Sequence, residues 1–210
     1  MVLERYRVGW DAFLSPAARG MRRLGLTPNG VSVLSLLFAV GAAAAFALAD
    51  APGAWALFAG AALVAVNGVL DGLDGRLARL ANLSSKRGDY LDHVIDRYAD
   101  VAILLGLALS PLGDLTWGLL ALVGTMLTSY MGTQAQALGL GRMYAGWLGR
   151  ADRLVILIAV PALWFFAARL GFAWPFAATP VTLMLGYFAV VGNLTALQRF
   201  WSGWKAIGEA

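Results

Sequence analysis

Six stretches of about twenty mostly apolar residues, parted by short polar junctions, take up most of this chain. A helix of that length matches the hydrocarbon thickness of a bilayer, and inside lipid the backbone must satisfy its own hydrogen bonds. The stretches run at about residues 31–49, 54–77, 90–109, 115–137, 154–170 and 176–197. Helix breakers fall between most of them: Pro28 and Gly30, Pro52 and Gly53, Pro111 and Gly113, Gly171 and Pro175. Pro161 and Pro180 lie within stretches, where kinks are tolerated in membranes. Charged residues make up only 13% of the chain, against about 25% in soluble domains, too little polar surface to coat a soluble fold. The expected architecture is an all-α integral membrane protein with six transmembrane helices. One domain is expected over residues 1–210, with the bundle over 28–200.

The net charge of +4 invites a nucleic-acid reading, but the placement of the charge argues for membrane topology instead, with no nucleic-acid partner. Of sixteen basic residues, fourteen fall before the first stretch, at the second-to-third and fourth-to-fifth junctions, or after the last stretch. Arg169 alone sits on the other side, and Arg97 lies within a stretch. The positive-inside rule then places both termini and both basic junctions on the cytoplasmic side of the cell membrane, consistent with an even number of spans. The first 27 residues differ from the rest. Val2, Leu3, Tyr6, Trp10, Phe13, Leu14, Ala17, Met21 and Leu24 recur at helical spacing between arginines. This predicts an amphipathic helix, lying in the interface or packed on the protein's own cytoplasmic face. No long apolar core comes early enough for a removable signal peptide.

Asp71, Asp74, Asp89, Asp92, Asp96 and Asp100 put six of the twelve acidic residues into thirty positions of the second and third stretches. Each ionisable group at a span's centre costs about 2.5 kcal/mol or more on insertion scales. At about 100° per residue, Asp71, Asp74, Gly75 and Ala78 share one helix face, with Asn67 one turn above. Gly88, Asp92 and Asp96 share a face of the next helix. The linker 82–87 is short, so the two helices are expected to be antiparallel neighbours with their acidic faces meeting. Converging carboxylates repel, and divalent cations are the natural remedy. All-oxygen ligation suits Mg²⁺, Mn²⁺ or Ca²⁺. Zinc is disfavoured, because the chain has no cysteine and a single histidine, His93, which reads as a packing or interface residue. Mg²⁺ commonly keeps positions for substrate phosphates, and Arg79 stands beside the acids to meet one. Arg97 and Asp100 read as a structural pair. On the residues alone, a cation-coupled transporter stands level with an enzyme. The transporter would carry ion flux without nucleotide.

The string Asp71-Gly-Leu-Asp74-Gly75-Arg-Leu-Ala78-Arg79, then Gly88, Asp92 and Asp96, matches D-x2-D-G-x2-A-R-x8-G-x3-D-x3-D at all eight fixed positions. It resembles the CDP-alcohol phosphotransferase family, integral membrane enzymes of phospholipid synthesis. Thr27-Pro28-Asn29 resembles the family's usual lead into its first helix. The resemblance implies that Asp71, Asp74, Asp92 and Asp96 hold two Mg²⁺ or Mn²⁺ ions, with Asp96 also the general base. It implies that Asn67, Asp71, Gly75, Ala78, Arg79 and Gly88 form the CDP pocket. The acceptor hydroxyl would attack the phosphorus attached to the lipid alcohol, and CMP would leave. The donor would be a CDP-linked lipid (CDP-diacylglycerol or CDP-archaeol), the surroundings membrane lipid, and the assembly a homodimer.

The segments 129–135 and 149–154 look like the corresponding region of phosphatidylinositol-phosphate synthases and their archaeal ether-lipid counterparts. There, basic residues hold the phosphate of a phosphorylated polyol. Arg153 and Arg199 fall where two such residues are expected, and Arg150 precedes them; arginine forks suit a phosphorylated acceptor. The chain departs from the bacterial pattern at Gly132, where a lysine is usual, and at Gln134. Inositol 1-phosphate therefore stands first as acceptor, with glycerol 3-phosphate or an unphosphorylated alcohol left open.

Overall fold

The computed structural model describes residues 7–141, 143 and 146–208, with side chains from Ser15 onward. Among the described residues the chain is entirely helical: α1 (Arg7–Arg23), α2 (Pro28–Ala47), α3 (Trp55–Ala81), α4 (Lys86–Leu109), α5 (Leu115–Ala137), α6 (Arg150–Arg169) and α7 (Pro180–Gly208). Five of them, α2, α3, α5, α6 and α7, are long and apolar enough to cross a membrane. The remaining long helix, α4, has 24 residues, about 36 Å of helix, but carries the acids in its first half. The protein is a multi-pass membrane protein.

Local chemistry sets the helix ends. Pro28 is the first residue of α2, with Thr27 as N-cap accepting the Gly30 N–H at 3.1 Å. Ser85 caps α4 by accepting the Gly88 N–H at 3.1 Å, so α4 starts four residues before its apolar stretch. Asn82 ends α3 in the left-handed region at φ 56°, a conformation that asparagine tolerates. Sequence periodicity placed Pro180 inside the last span, beginning at 176. The structure starts α7 at Pro180 instead, because proline suits the first helical turn and Thr179 caps it by accepting the Thr182 N–H at 3.0 Å. Pro161 does lie inside α6.

Helix α2 is the hub, packed along both α3 and α4, while α5 lies along α7, α6 against α3, and α4 against α5. The sequence predicts α3 and α4 as antiparallel neighbours with their acidic faces meeting, and their acidic side chains do converge. Their backbones scarcely touch, and α2 fills the angle between them. The physical reason lies in the facing carboxylates, which a tight helix contact would press together without room for counter-charge. The main core joins Phe46, Leu57, Val64, Leu104, Leu107, Phe165, Leu185 and Phe188. Leu37, Val40, Leu119, Leu163, Val190 and Leu197 are exposed, as suits side chains solvated by lipid. The small-residue run 41–45 in α2 allows close approach, since a Cβ on Gly106 of α4 would collide with the Ala43 backbone.

Val2, Leu3 and Tyr6 of the expected amphipathic stripe lie outside the described residues, as do the side chains of Trp10, Phe13 and Leu14. Further along α1, Ala18 is buried and Met21 packs with it against Val31, Leu70, Leu73 and Leu77. Arg76 Nη2 donates to Ser15 Oγ at 2.8 Å and Arg22 Nη1 to the Leu80 carbonyl at 2.8 Å. Ala17 and Leu24, expected on the apolar face, are exposed. The described part of α1 thus packs on α3.

Replacing Gly106 by alanine is expected to destabilise the purified protein by about 1–3 kcal/mol, the usual cost of overpacking. Gly20→Ala in α1, where a Cβ meets nothing within 4 Å, serves as the control. Thermal unfolding in detergent checks the pair; equal Tm values would contradict the α2–α4 contact.

Candidate metal and phosphate site

The site is built from the cytosol-facing ends proposed for α3 and α4, with α2 behind and the first turn of α6 in front. Asp71 and Asp74 stand three residues apart on α3, Asp92 and Asp96 four apart on α4, so each pair projects from one face. One carboxylate oxygen each from Asp71, Asp74 and Asp92 lies within 4.8 Å of the others. The acidic faces therefore meet across the gap between helices whose backbones do not.

Each carboxylate is held differently. Asp74 is buried; its Oδ2 accepts the Ser32 hydroxyl at 2.6 Å and its Oδ1 the Gly75 N–H at 2.5 Å. Behind it, Ser35 Oγ donates to the Ser32 carbonyl at 2.7 Å, and Asn67 Nδ2 donates to the Ser35 carbonyl at 2.9 Å. Asn67 is only 3% exposed. The structure thus gives Asn67 to the α2–α3 contact and does not bring it to the open side of the site. Asp96, also buried, faces Arg150: Nη1 donates to Asp96 Oδ2 at 2.6 Å and Nη2 lies 2.5 Å from Oδ1. The same guanidinium donates to both Asp71 oxygens at 3.1 Å. Asp100 pairs with Arg153 at 3.1 Å and with Arg97 at 3.4 Å. Asp89 is exposed, and its backbone carbonyl lies 2.8 Å from His93 Nδ1. That contact ties His93 to its own helix and sets it apart from the carboxylate trio.

A divalent ion fits this donor set. The three converging ligands are all oxygen, as Mg²⁺ and Mn²⁺ prefer. Asp92 Oδ1 is buried without a hydrogen-bond partner, an arrangement that costs free energy unless something positive meets it. Gly75 and Ala78 leave a half-buried floor beside the acids, and Arg79 stands exposed at its edge. A Cβ on Gly88 would lie 3.5 Å from Asn29 Oδ1, which joins the start of α4 to the start of α2.

The basic residues divide. Arg150, expected on the acceptor phosphate, is instead engaged by the carboxylates. Arg153 is 5% exposed and Arg199 9% exposed; Arg199 Nη1 donates to the Thr128 carbonyl at 2.8 Å. Gly132 matters here, since a Cβ at that position would come 3.2 Å from Arg199 Nη1 and 3.3 Å from the Met143 carbonyl. The Arg199 head group occupies space that a lysine at 132 would need. Ser32 and Ser35 were missed in the sequence. Their signal was two hydroxyls three residues apart inside an apolar stretch, on the side that α3 covers.

A family model described as CDP-alcohol phosphatidyltransferase matches residues 25–193. The chain is 34% identical over 207 residues to a phosphatidylinositol phosphate synthase of Cutibacterium acnes, covering 94% of this chain and 95% of the relative. It is 31% identical to an archaetidylinositol phosphate synthase of Methanothermobacter thermautotrophicus, covering 98% and 96%. Its fold matches crystal structures of the Mycobacterium tuberculosis phosphatidylinositol phosphate synthase with TM-score 0.74 at 30% identity. The form with CDP-DAG bound covers 91% of this chain and 93% of that one. The form with manganese and citrate covers 91% and 88%.

Ser32→Ala removes the hydroxyl that orients Asp74, and is expected to weaken Mn²⁺ binding by about tenfold or more. Titration of the purified protein with Mn²⁺, followed by the electron paramagnetic resonance signal of free ion, measures it. Unchanged affinity would show that Asp74 needs no such orientation.

Proposed function

This chain belongs to the CDP-alcohol phosphatidyltransferase family, and on that premise we propose that it transfers the lipid phosphoryl group of a CDP-linked lipid to a hydroxyl of a phosphorylated polyol, with inositol 1-phosphate the first choice. The observation that carries the reading is the convergence of Asp71, Asp74 and Asp92 around the unpartnered Asp92 Oδ1. Similarity over nearly the whole chain to a phosphatidylinositol phosphate synthase and an archaetidylinositol phosphate synthase supports the acceptor class. The departures at Gly132 and Gln134 keep glycerol 3-phosphate second.

In the proposed mechanism Asp71, Asp74 and Asp92 hold divalent metal, with Asp96 completing the set. When bound, the ions neutralise charge on the diphosphate oxygens. Gly75, Ala78 and Gly88 leave room for the nucleotide, and Arg79 meets a phosphate. Asp96 takes the proton of the acceptor hydroxyl, whose oxygen bonds to the lipid-linked phosphorus as the bond to CMP breaks. Arg153 and Arg199 orient the acceptor phosphate, Arg153 exchanging its Asp100 partner for it. Asn67, through Ser35 and Ser32, keeps Asp74 in place. The catalytic work is positioning and electrostatics.

The same reading covers the surroundings. All 210 residues form one membrane domain, with α4 as the sixth span, the N-terminal 27 residues along the interface, and the site and both termini cytoplasmic. The fourteen basic residues on that side support the orientation. Arg169 marks the opposite end, where its guanidinium lies 5.2 Å from the Trp55 ring and donates to the Gly53 carbonyl. The functional unit is taken to be a homodimer.

Purified protein given CDP-lipid, Mg²⁺ or Mn²⁺ and a panel of inositol phosphate, glycerol phosphate, serine and free inositol is expected to release CMP with the first. No release with any acceptor would overturn the assignment. Asp96→Asn is expected to abolish turnover and leave CDP-donor binding intact; near-normal turnover would remove Asp96 as base. Arg153→Ala is expected to raise the KM for a phosphorylated acceptor by about tenfold or more while sparing the donor KM. An unchanged acceptor KM would take Arg153 out of the pocket.

A further inference from the structure

Arg150 touches two of the acids from different helices, and its placement has a consequence for metal loading. Asp71 and Asp96 flank its guanidinium on either side. Nη1 reaches Asp71 Oδ2 at 3.1 Å and Asp96 Oδ2 at 2.6 Å, while Nη2 reaches Asp71 Oδ1 at 3.1 Å and Asp96 Oδ1 at 2.5 Å. Both oxygens of Asp96 thus lie within 2.6 Å of the guanidinium, Oδ1 without a hydrogen bond of its own, and the residue is 7% exposed. Asp71 differs, because a carboxylate has about four lone-pair sites and two longer contacts leave room for another ligand.

The consequences for two ions are unequal. An ion among Asp71, Asp74 and Asp92 meets their converging oxygens and leaves the guanidinium where it is. An ion that uses Asp96 must come within about 2.1 Å of an oxygen already facing Arg150. Two cations crowded onto that face of a site shielded from water repel strongly. We propose that Arg150 occupies the second cation position of this site: one divalent ion loads beside it, and a second loads only by displacing the guanidinium from Asp96. The inference rests on the metal-site reading above and adds to it an order of loading and an internal competitor.

The fold supplies the means for displacement. Arg150 is the first residue of α6, so its backbone has one side facing the connecting segment. The helix start is held without its side chain: Asp152 Oδ2 accepts the Gly149 N–H at 3.1 Å. Its side chain is 37% exposed, which leaves space to swing. Three residues on, Arg153 points from the same end of α6. A displaced Arg150 therefore stays beside the proposed acceptor-phosphate site, and filling the second metal position frees positive charge for the anion that reacts next.

The test is Mn²⁺ binding to EDTA-stripped protein in detergent, without nucleotide, read as free-ion electron paramagnetic resonance. Wild type is expected to bind one ion, and a second about tenfold or more weakly. Arg150→Met is expected to tighten the second ion by about tenfold and the first by less than about threefold; Arg150→Lys, a smaller competitor, falls between. Arg153→Met, which removes a nearby cation that does not touch the carboxylate pair, is expected to leave both within about threefold. Equal effects of Arg150→Met and Arg153→Met, or an unchanged second ion in Arg150→Met, would overturn the proposal. An absence of Mn²⁺ binding in wild type would overturn the metal-site reading and this proposal together. A measurement on wild type alone covers the case of a variant that does not fold. Modification by phenylglyoxal, mapped by mass spectrometry, is expected to rise at Arg150 when Mn²⁺ saturates both sites. Modification at Arg150 indifferent to Mn²⁺ would overturn displacement.

Discussion

Carboxylates at the ends of membrane helices must find positive charge, and the rest of this structure is arranged around that need. The cost of such groups in a span is several kcal/mol in total, about 2.5 kcal/mol or more for each at a helix centre. Asp71 and Asp96 meet it with Arg150, Asp100 with Arg153 and Arg97, and Asp74 with hydrogen bonds from Ser32 and Gly75. Asp92 keeps one buried oxygen without a hydrogen bond. Asp96 Oδ1 also lacks one, though Arg150 Nη2 lies 2.5 Å from it. Buried oxygens of this kind favour a divalent ion.

The same need explains the packing. Helices α3 and α4 follow one another in the chain, yet their backbones stand apart and α2 packs along both. Close contact between α2 and α4 depends on Gly106 lying against the Ala43 backbone. Close contact between α2 and α3 is reinforced by the Asn67–Ser35–Ser32–Asp74 chain of hydrogen bonds. A phosphate-bearing substrate and its metal need a cleft of this kind, with rigid walls and charged side chains reaching in from either side. The packing that separates the helices also orients Asp74, so stability and chemistry draw on the same contacts.

At the other face of the cleft the arginines carry different loads. Arg150 pairs with Asp71 and Asp96, while Arg153 is buried against Asp100 and Arg199 against α5. The glycine at 132 gives Arg199 its room.

Much of this was legible in the sequence because it is local. Apolar length predicted helices, and Thr27-Pro28 marks the start of α2 by chemistry that acts within three residues. The spacing of Asp71, Asp74, Asp92 and Asp96 fixed which faces they occupy, since helical periodicity needs no partner. Three features were not legible, and each depends on contact between residues far apart in the chain. Arg150 lies 79 residues from Asp71 and 54 from Asp96, so its contact with both acids was decided by the approach of α6 to α3. Ser32 lies 42 residues from Asp74, and nothing in its own apolar stretch points to that partner. The separation of α3 from α4 arose from α2, which precedes both. The sequence by itself determined that the acids converge at one end of a helical membrane protein. Only the tertiary structure decided which of them meet an arginine and which converge with one another, because counter-charge is a property of neighbours in space.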